Sequence, residues 1–145
     1  AIELAHALGN KNPNVAILSA TETPIPSMPS SIEATEVLKS IKKYETKSAN
    51  IYGPLAFDNA ISPEAAKLKS LTHPVAGNAD ILIVPNIETG NSLFKMMVYF
   101  MSAVAAGVVM GAKVPIMLTS RGDPIEARIA SAALAALTAQ NSNSH

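Results

Sequence analysis

The chain has 145 residues, 48% apolar and 15% charged, which is enough apolar mass for a core and too little charge for a disordered segment. Acidic and basic side chains balance at 11 each, which argues against a dedicated nucleic-acid binder with its basic stripe. Cysteine is absent, so disulfides and thiolate metal centres are excluded, and no apolar run reaches the ~20 residues of a membrane span. A cytoplasmic protein fits these limits.

Residues 2–9 read as a short amphipathic helix stopped by Gly9 and Asn10, and not as a signal peptide. The start at Ala1 lacks both a cap and an initiator Met, so a preceding segment is expected. Val15 to Leu18 form a buried strand. The stretch Ser19 to Pro29 then holds prolines at 24, 26 and 29 and reads as a stiff loop at a strand's carboxyl end, where open α/β sheets place ligands. Ser30 and Glu33 fit a capping box. The following helix carries Ile32, Ala34, Val37, Leu38 and Ile41 on one stripe, with Lys39, Lys42 and Lys43 outside. Asn50 to Tyr52 are a short strand that Gly53-Pro54 is expected to break. Asp58 and Asn59 suit either capping of the Ala-rich helix near 63–70 or a ligand-facing role. His73 lies in a loop without a second ligand at metal spacing, so no metal site is expected.

Ile81 to Val84 form an unbroken apolar run, read as a strand buried on both faces in mid-sheet. Pro85 ends it. Asn86, Glu88, Thr89, Gly90 and Asn91 then read as a polar turn before a helix, a natural anion site because free N–H groups and the helix dipole face the turn. That helix, near 91–104, is apolar on every face and holds two of three Phe and three of six Met residues. It needs a second surface to bury against, and a subunit interface is the candidate alongside a covering loop. Val114 to Thr119 read as a buried strand. Asp123, Pro124 and Glu126 match the start of a last helix reaching about Ala139, with Ala130, Ala133 and Ala136 on its packing face. Residues 140–145 are a polar tail. Alternation of strands and helices indicates an α/β fold with a mainly parallel sheet.

Only two arginines occur, Arg121 and Arg128. Arg121 follows Ser120 at a strand end beside a helix start, where a guanidinium is suited to hold a phosphate and a hydroxyl to stabilise an oxyanion. Asp123 and Glu126 are alternative general bases, with capping the competing role. Gly-x-Ser-x-Gly, Walker A and Gly-x-Gly-x-x-Gly patterns are missing, so Ser120 is not expected to be an activated nucleophile.

Five blocks occur in order: Leu18-Ser-Ala-Thr-Glu22, Gly53-Pro-Leu-Ala-Phe-Asp-Asn-Ala60, Pro74-Val-Ala-Gly-Asn-Ala-Asp-Ile-Leu82, Val84-Pro-Asn-Ile-Glu-Thr-Gly-Asn91 and Gly111-Ala-Lys-Val-Pro-Ile-Met-Leu-Thr-Ser-Arg121. Together, from about Ala5 to Leu137, they resemble the phosphate acetyl/butyryltransferase family, leaning to the butyryl branch. The resemblance implies a three-layer α/β/α fold similar to the isocitrate/isopropylmalate dehydrogenases. It implies transfer of an acyl group between coenzyme A and inorganic phosphate, with no metal and no bound cofactor. It also implies a C-terminal portion, with residues 1–112 as a second domain and 113–139 as the strand and helix closing a first. Ser120 and Arg121 match the family's Ser-Arg pair, Asp123 or Glu126 the acid that activates the thiol, and Asn86, Gly90 and Asn91 a cleft-facing block. Asp58 and Asn59 join them as substrate-binding candidates. A homodimer through the 91–104 helix is implied, and a non-catalytic phosphate- or nucleotide-binding or dimerisation module is the alternative reading.

Overall fold

The computed structural model describes residues 1–42 and 48–142. The chain divides into two compact units, Ala1–His6 with Asn10–Gly90, and Ala7–Gly9 with the chain from Asn91 onward. The 112/113 boundary read from the sequence falls inside the second unit.

In the first unit the elements are α1 (Ile2–Ala7), β1 (Asn14–Leu18), α2 (Pro29–Lys42), β2 (Asn50–Leu55), α3 (Phe57–Ile61), α4 (Pro63–Leu68) and β3 (Ile81–Ile83). The sheet order is β2-β1-β3, all parallel. β1 is central, and Val15, Ala16, Ile17 and Leu18 are all buried. Asn14 sets the register at the strand entry. Its N–H donates to the Asp80 carboxylate at 2.7 Å, its amide donates to Asn78 O, and its amide oxygen accepts from Asn50. The sequence puts the 81–84 run in mid-sheet, but β3 is the edge strand here and Ile83 is exposed. An apolar run reports that both faces suit burial. It does not say which strand has neighbours on both sides.

β2 runs through Gly53-Pro54, which does not break it. Proline is tolerated because β2 is an edge strand and the register shifts there. Gly53 is required by close approach: a Cβ there would lie 2.6 Å from the Ile17 carbonyl oxygen.

Several helix starts differ from the sequence reading. α2 begins at Pro29, proline being favoured in a first helical turn, so Ser30 is inside the helix and no Ser30/Glu33 capping box forms. The side chain of Lys42, residues 43–47 and the end of the tail at 143–145 lie outside the described residues. α4 is capped by Ser62, whose hydroxyl accepts from Ala65 N–H, and neither Asp58 nor Asn59 caps it. His73 is half-buried, its ring stacked on Tyr52 at 4.2 Å.

α5 (Ile87–Phe100) crosses from one unit to the next. It starts before Gly90, so Glu88, Thr89, Gly90 and Asn91 are helical and do not form a turn. Asn86 caps it: its side chain accepts from Thr89 N–H at 2.8 Å and its carbonyl from Gly90 N–H. The helix stops short of residue 104 because Ser102 adopts a left-handed conformation and Ala103 N–H returns to Met97 O.

The second unit adds β4 (Gly107–Val109), β5 (Ile116–Leu118) and α6 (Ile125–Ser142). β4 and β5 pair antiparallel, so the parallel sheet is confined to the first unit. A Cβ at Gly107 would meet Leu118 O at 2.5 Å, which is why glycine stands there. Gly107 N–H donates to the buried Ser131 hydroxyl, tying β4 to α6. β5 is exposed along its whole length, contrary to the buried strand expected from its composition. The buried face of α6 carries Ala127, Ser131 and Thr138, while Ala133 and Ala136 are exposed, so the Ala130/Ala133/Ala136 stripe is not the packing face. α6 also continues past Ala139 through residues expected to be tail.

Candidate active site

Helical spacing puts Asn91, Phe94 and Lys95 of α5 on one face. Within the second unit that face lines a pocket of about 370 Å³ together with Ala105, Gly107, Leu118, Thr119, Ser120 and Asp123. Ser120 and Asp123 are joined in a turn. The Asp123 carboxylate accepts from Ser120 N–H, and Asp123 N–H donates to Ser120 O at 3.2 Å. α6 begins only at Ile125, and Arg128 N–H reaches Pro124 O. Asp123 therefore stands one residue before the cap position, and its carboxylate is turned back on Ser120. This is a correction of the helix-start reading, with a consequence for chemistry: one carboxylate oxygen is tied down and the acid is held beside the serine.

The pocket brings together Asn91, Ser120 and Asp123 of the residues picked from sequence. Arg121 and Glu126 are exposed and do not line it. Asn86 and Gly90 belong to the first unit. The Asn86 side chain is spent on its capping bond, and Gly90 packs in its helix, where a Cβ would come within 3.1 Å of Val84. Lys95 is the pocket residue that the sequence reading passed over. Its signal in the sequence is its place as the one cation of α5, one helical turn after Asn91. Among the described residues no group of three or more His, Cys, Asp or Glu side chains is assembled to hold a metal ion.

Comparison with known proteins shows the family of the chain. A family model described as phosphate acetyl/butaryl transferase matches residues 1–136. The chain belongs to the phosphate acetyl/butaryl transferase family. It is 50% identical over 139 residues to a phosphate acetyltransferase of Rhizobium meliloti, covering 96% of this chain and 44% of that protein. It is 47% identical over 135 residues to a probable phosphate butyryltransferase of Bacillus subtilis, covering 93% of this chain and 45% of that protein. A branched-chain phosphotransacylase from Enterococcus faecalis V583 superposes with a TM-score of 0.86 at 41% identity, over 96% of this chain and 50% of its own. The chain thus spans about half the length of such relatives, or less. Among the described residues, no helix is long and apolar enough to cross a membrane.

This family member carries a second polar constellation in its first unit, at the carboxyl ends of β1 and β2. Glu22, from the proline-rich loop, accepts hydrogen bonds from Asn59 Nδ2, Ala56 N–H and Lys69 Nζ, the last at 3.1 Å. Asn59 is fully buried and its Oδ1 has no partner among the described residues. Asp58 is exposed in the first turn of α3. Of the two candidates from this block, Asn59 anchors the loop after β1 and Asp58 faces outward.

Burial pushes the Glu22 carboxyl up, but the hydrogen bonds from Lys69, Asn59 and Ala56 and the Lys69 charge outweigh it and hold the group below its ordinary value of 4.5. A folded value below the unfolded one means stability that is complete above the unfolded value and is lost as pH falls through the folded one. Glu22→Gln is expected to destabilise the chain by about 1–2 kcal/mol at pH 7. In urea unfolding, that gap between wild type and variant should narrow as pH falls below 4.5. A gap that stays constant down to pH 3 contradicts the assignment.

Proposed function

We propose that the full-length protein transfers an acetyl or butyryl group between coenzyme A and inorganic phosphate. The observation that carries this reading is that Asn91, Ser120 and Asp123 line one pocket in a member of this family. Acetyl- and butyryl-transferring relatives match almost equally well, at 50% and 47% identity, so both acyl groups stand in the proposal.

The chemistry follows from the pocket. Asp123 takes the proton of the coenzyme A thiol, its position fixed by the bond to Ser120 N–H. The thiolate attacks the carbonyl carbon of the acyl phosphate, and the Ser120 hydroxyl donates to the oxygen that gains charge. The tetrahedral intermediate collapses, the carbon–oxygen bond to phosphate breaks, and phosphate leaves with the bonding pair. In reverse, phosphate attacks the thioester and the departing thiolate recovers its proton from Asp123. Arg121, exposed beside Ser120, keeps the role implied by the resemblance, a charge contact to the phosphate. Each step is a proton or acyl transfer, so the proposal needs neither a metal nor a bound cofactor. Its substrates are charged and water-soluble, which fits a cytoplasmic enzyme.

The same reading extends to the fold and assembly. We propose a three-layer arrangement of the isocitrate/isopropylmalate dehydrogenase type for the full-length protein. A homodimer forms through α5 and the segment after it, where Met97, Tyr99, Phe100 and Met101 are exposed, Phe100 by 86%. Sedimentation should give a dimer, and a clean monomer at high concentration removes this interface.

The competition between the two acids supplies the kinetic test. In the full-length protein, Asp123→Asn is expected to lower kcat for acyl phosphate formation by about 10²-fold or more. Glu126→Gln should stay within a few-fold of wild type. The reverse ranking overturns the assignment of the base.

A further inference from the structure

Lys95 lines the pocket of Ser120 and Asp123, and among the described residues no other cation does. Its Nζ lies 5.3 Å from the centroid of the Phe94 ring, itself part of the pocket wall, and 5.9 Å from that of Tyr99. Two aromatic faces thus hold the ammonium at the wall by cation–π attraction. Among the described residues the Lys95 ammonium forms no ion pair or hydrogen bond. Asp123 has one oxygen committed to Ser120 N–H. The ammonium is therefore a positive charge on the wall of the pocket that Ser120 also lines, without an acidic partner among the described residues, and Ala105 and Leu118 share that lining. An unpaired cation in such a setting attracts anions more strongly than one in open water.

We propose that Lys95 is the residue that binds the phosphoryl group inside the pocket, as inorganic phosphate in one direction and as acyl phosphate in the other. The inference rests on the acyl-transfer reading for its substrate and assigns the phosphate to a residue that reading did not use. Lysine suits the task as a compact point charge with three donors, able to follow a phosphate oxygen as the carbon–oxygen bond forms or breaks. Arg121 is exposed and outside the pocket lining, so the two cations divide the work: Lys95 inside, Arg121 at the solvent side. Coenzyme A also carries phosphates, and the ammonium has the same chemistry for either source. The committed source is the transferred phosphate, because Lys95 shares the pocket with the serine and the acid that flank the reacting carbon.

The test uses Lys95→Met and Lys95→Arg in the full-length protein. Lys95→Met is expected to raise KM for inorganic phosphate by about 10-fold or more, the loss of one charge-assisted contact. KM for the acyl-CoA should hold, and Lys95→Arg should recover part of the loss. A raised KM for acyl-CoA with an unchanged KM for phosphate overturns the proposal in favour of a coenzyme A phosphate. Unchanged constants for both overturn it outright. A second arm needs no turnover. Inorganic phosphate titrated into wild type and followed by phosphorus NMR should broaden, and Lys95→Met should need about 10-fold more protein for the same broadening. Phosphate binding that depends on Lys95 in a protein without acyl transfer upholds this inference and sinks the proposed function. Turnover with phosphate binding indifferent to Lys95 does the opposite.

Discussion

Val15, Ala16, Ile17 and Leu18 are buried and flanked by parallel strands on both sides. Each large side chain here contributes about 1.5–3 kcal/mol by leaving water. The geometry around them is the constraint on the first unit. Parallel neighbours cannot be joined by tight hairpins, so the chain must cross over twice. One crossover carries α2, and the other carries α3 and α4. Asn14 closes the arrangement at the strand entry by bonding to residues on both sides, Asn50 on one and Asn78 and Asp80 on the other. With the register pinned there, the carboxyl ends of the strands align, and the proline-rich loop after β1 is drawn onto α3 and α4 through Glu22.

The second unit is built on a different principle. Its two short strands are antiparallel, and its buried residues on α6 are small: Ala127, Ser131 and Thr138. A thin core of this kind gives little burial, so local hydrogen bonds carry the geometry. Ser131 ties α6 to β4, and Asp123 ties the turn before α6 to Ser120. The turn that the second tie holds lines the pocket together with Asn91, Phe94 and Lys95 of α5. The chemistry proposed for it needs one acid, one hydroxyl and one cation in fixed relation, and those ties supply the first two.

Much of this was legible in the sequence. β1 and the amphipathic α2 lie close to where composition and periodicity put them, and β3, α5 and the strand-turn-helix junction at Ser120–Glu126 exist as elements although their position or ends differ. The misreadings share a cause. Asn86 to Asn91 looks like a turn because its residues are turn formers, but Asn86 caps the helix and the rest obey helical spacing. Asp123 has the chemistry of a cap, yet its carboxylate finds a donor behind it at Ser120. Ile116 to Leu118 have the composition of a buried strand, and Leu118 is 60% exposed. Composition records the surroundings a segment suits, not those that this chain provides. Lys95 is not legible in the sequence because a single lysine on a helix carries no motif. Only its placement one turn from Asn91, opposite Ser120, gives it meaning.

The central claim is that an acyl group passes between a thiol and phosphate at the Ser120–Asp123 pocket. Product identity tests it most directly. Full-length protein is incubated with butyryl-CoA or acetyl-CoA and inorganic phosphate. Free thiol is followed with a chromogenic disulfide, and acyl phosphate is trapped as the hydroxamate. The account predicts thiol and acyl phosphate in equal amounts, both absent when phosphate is left out. Thiol release without acyl phosphate, at a rate independent of phosphate, would mean thioester hydrolysis and contradict it.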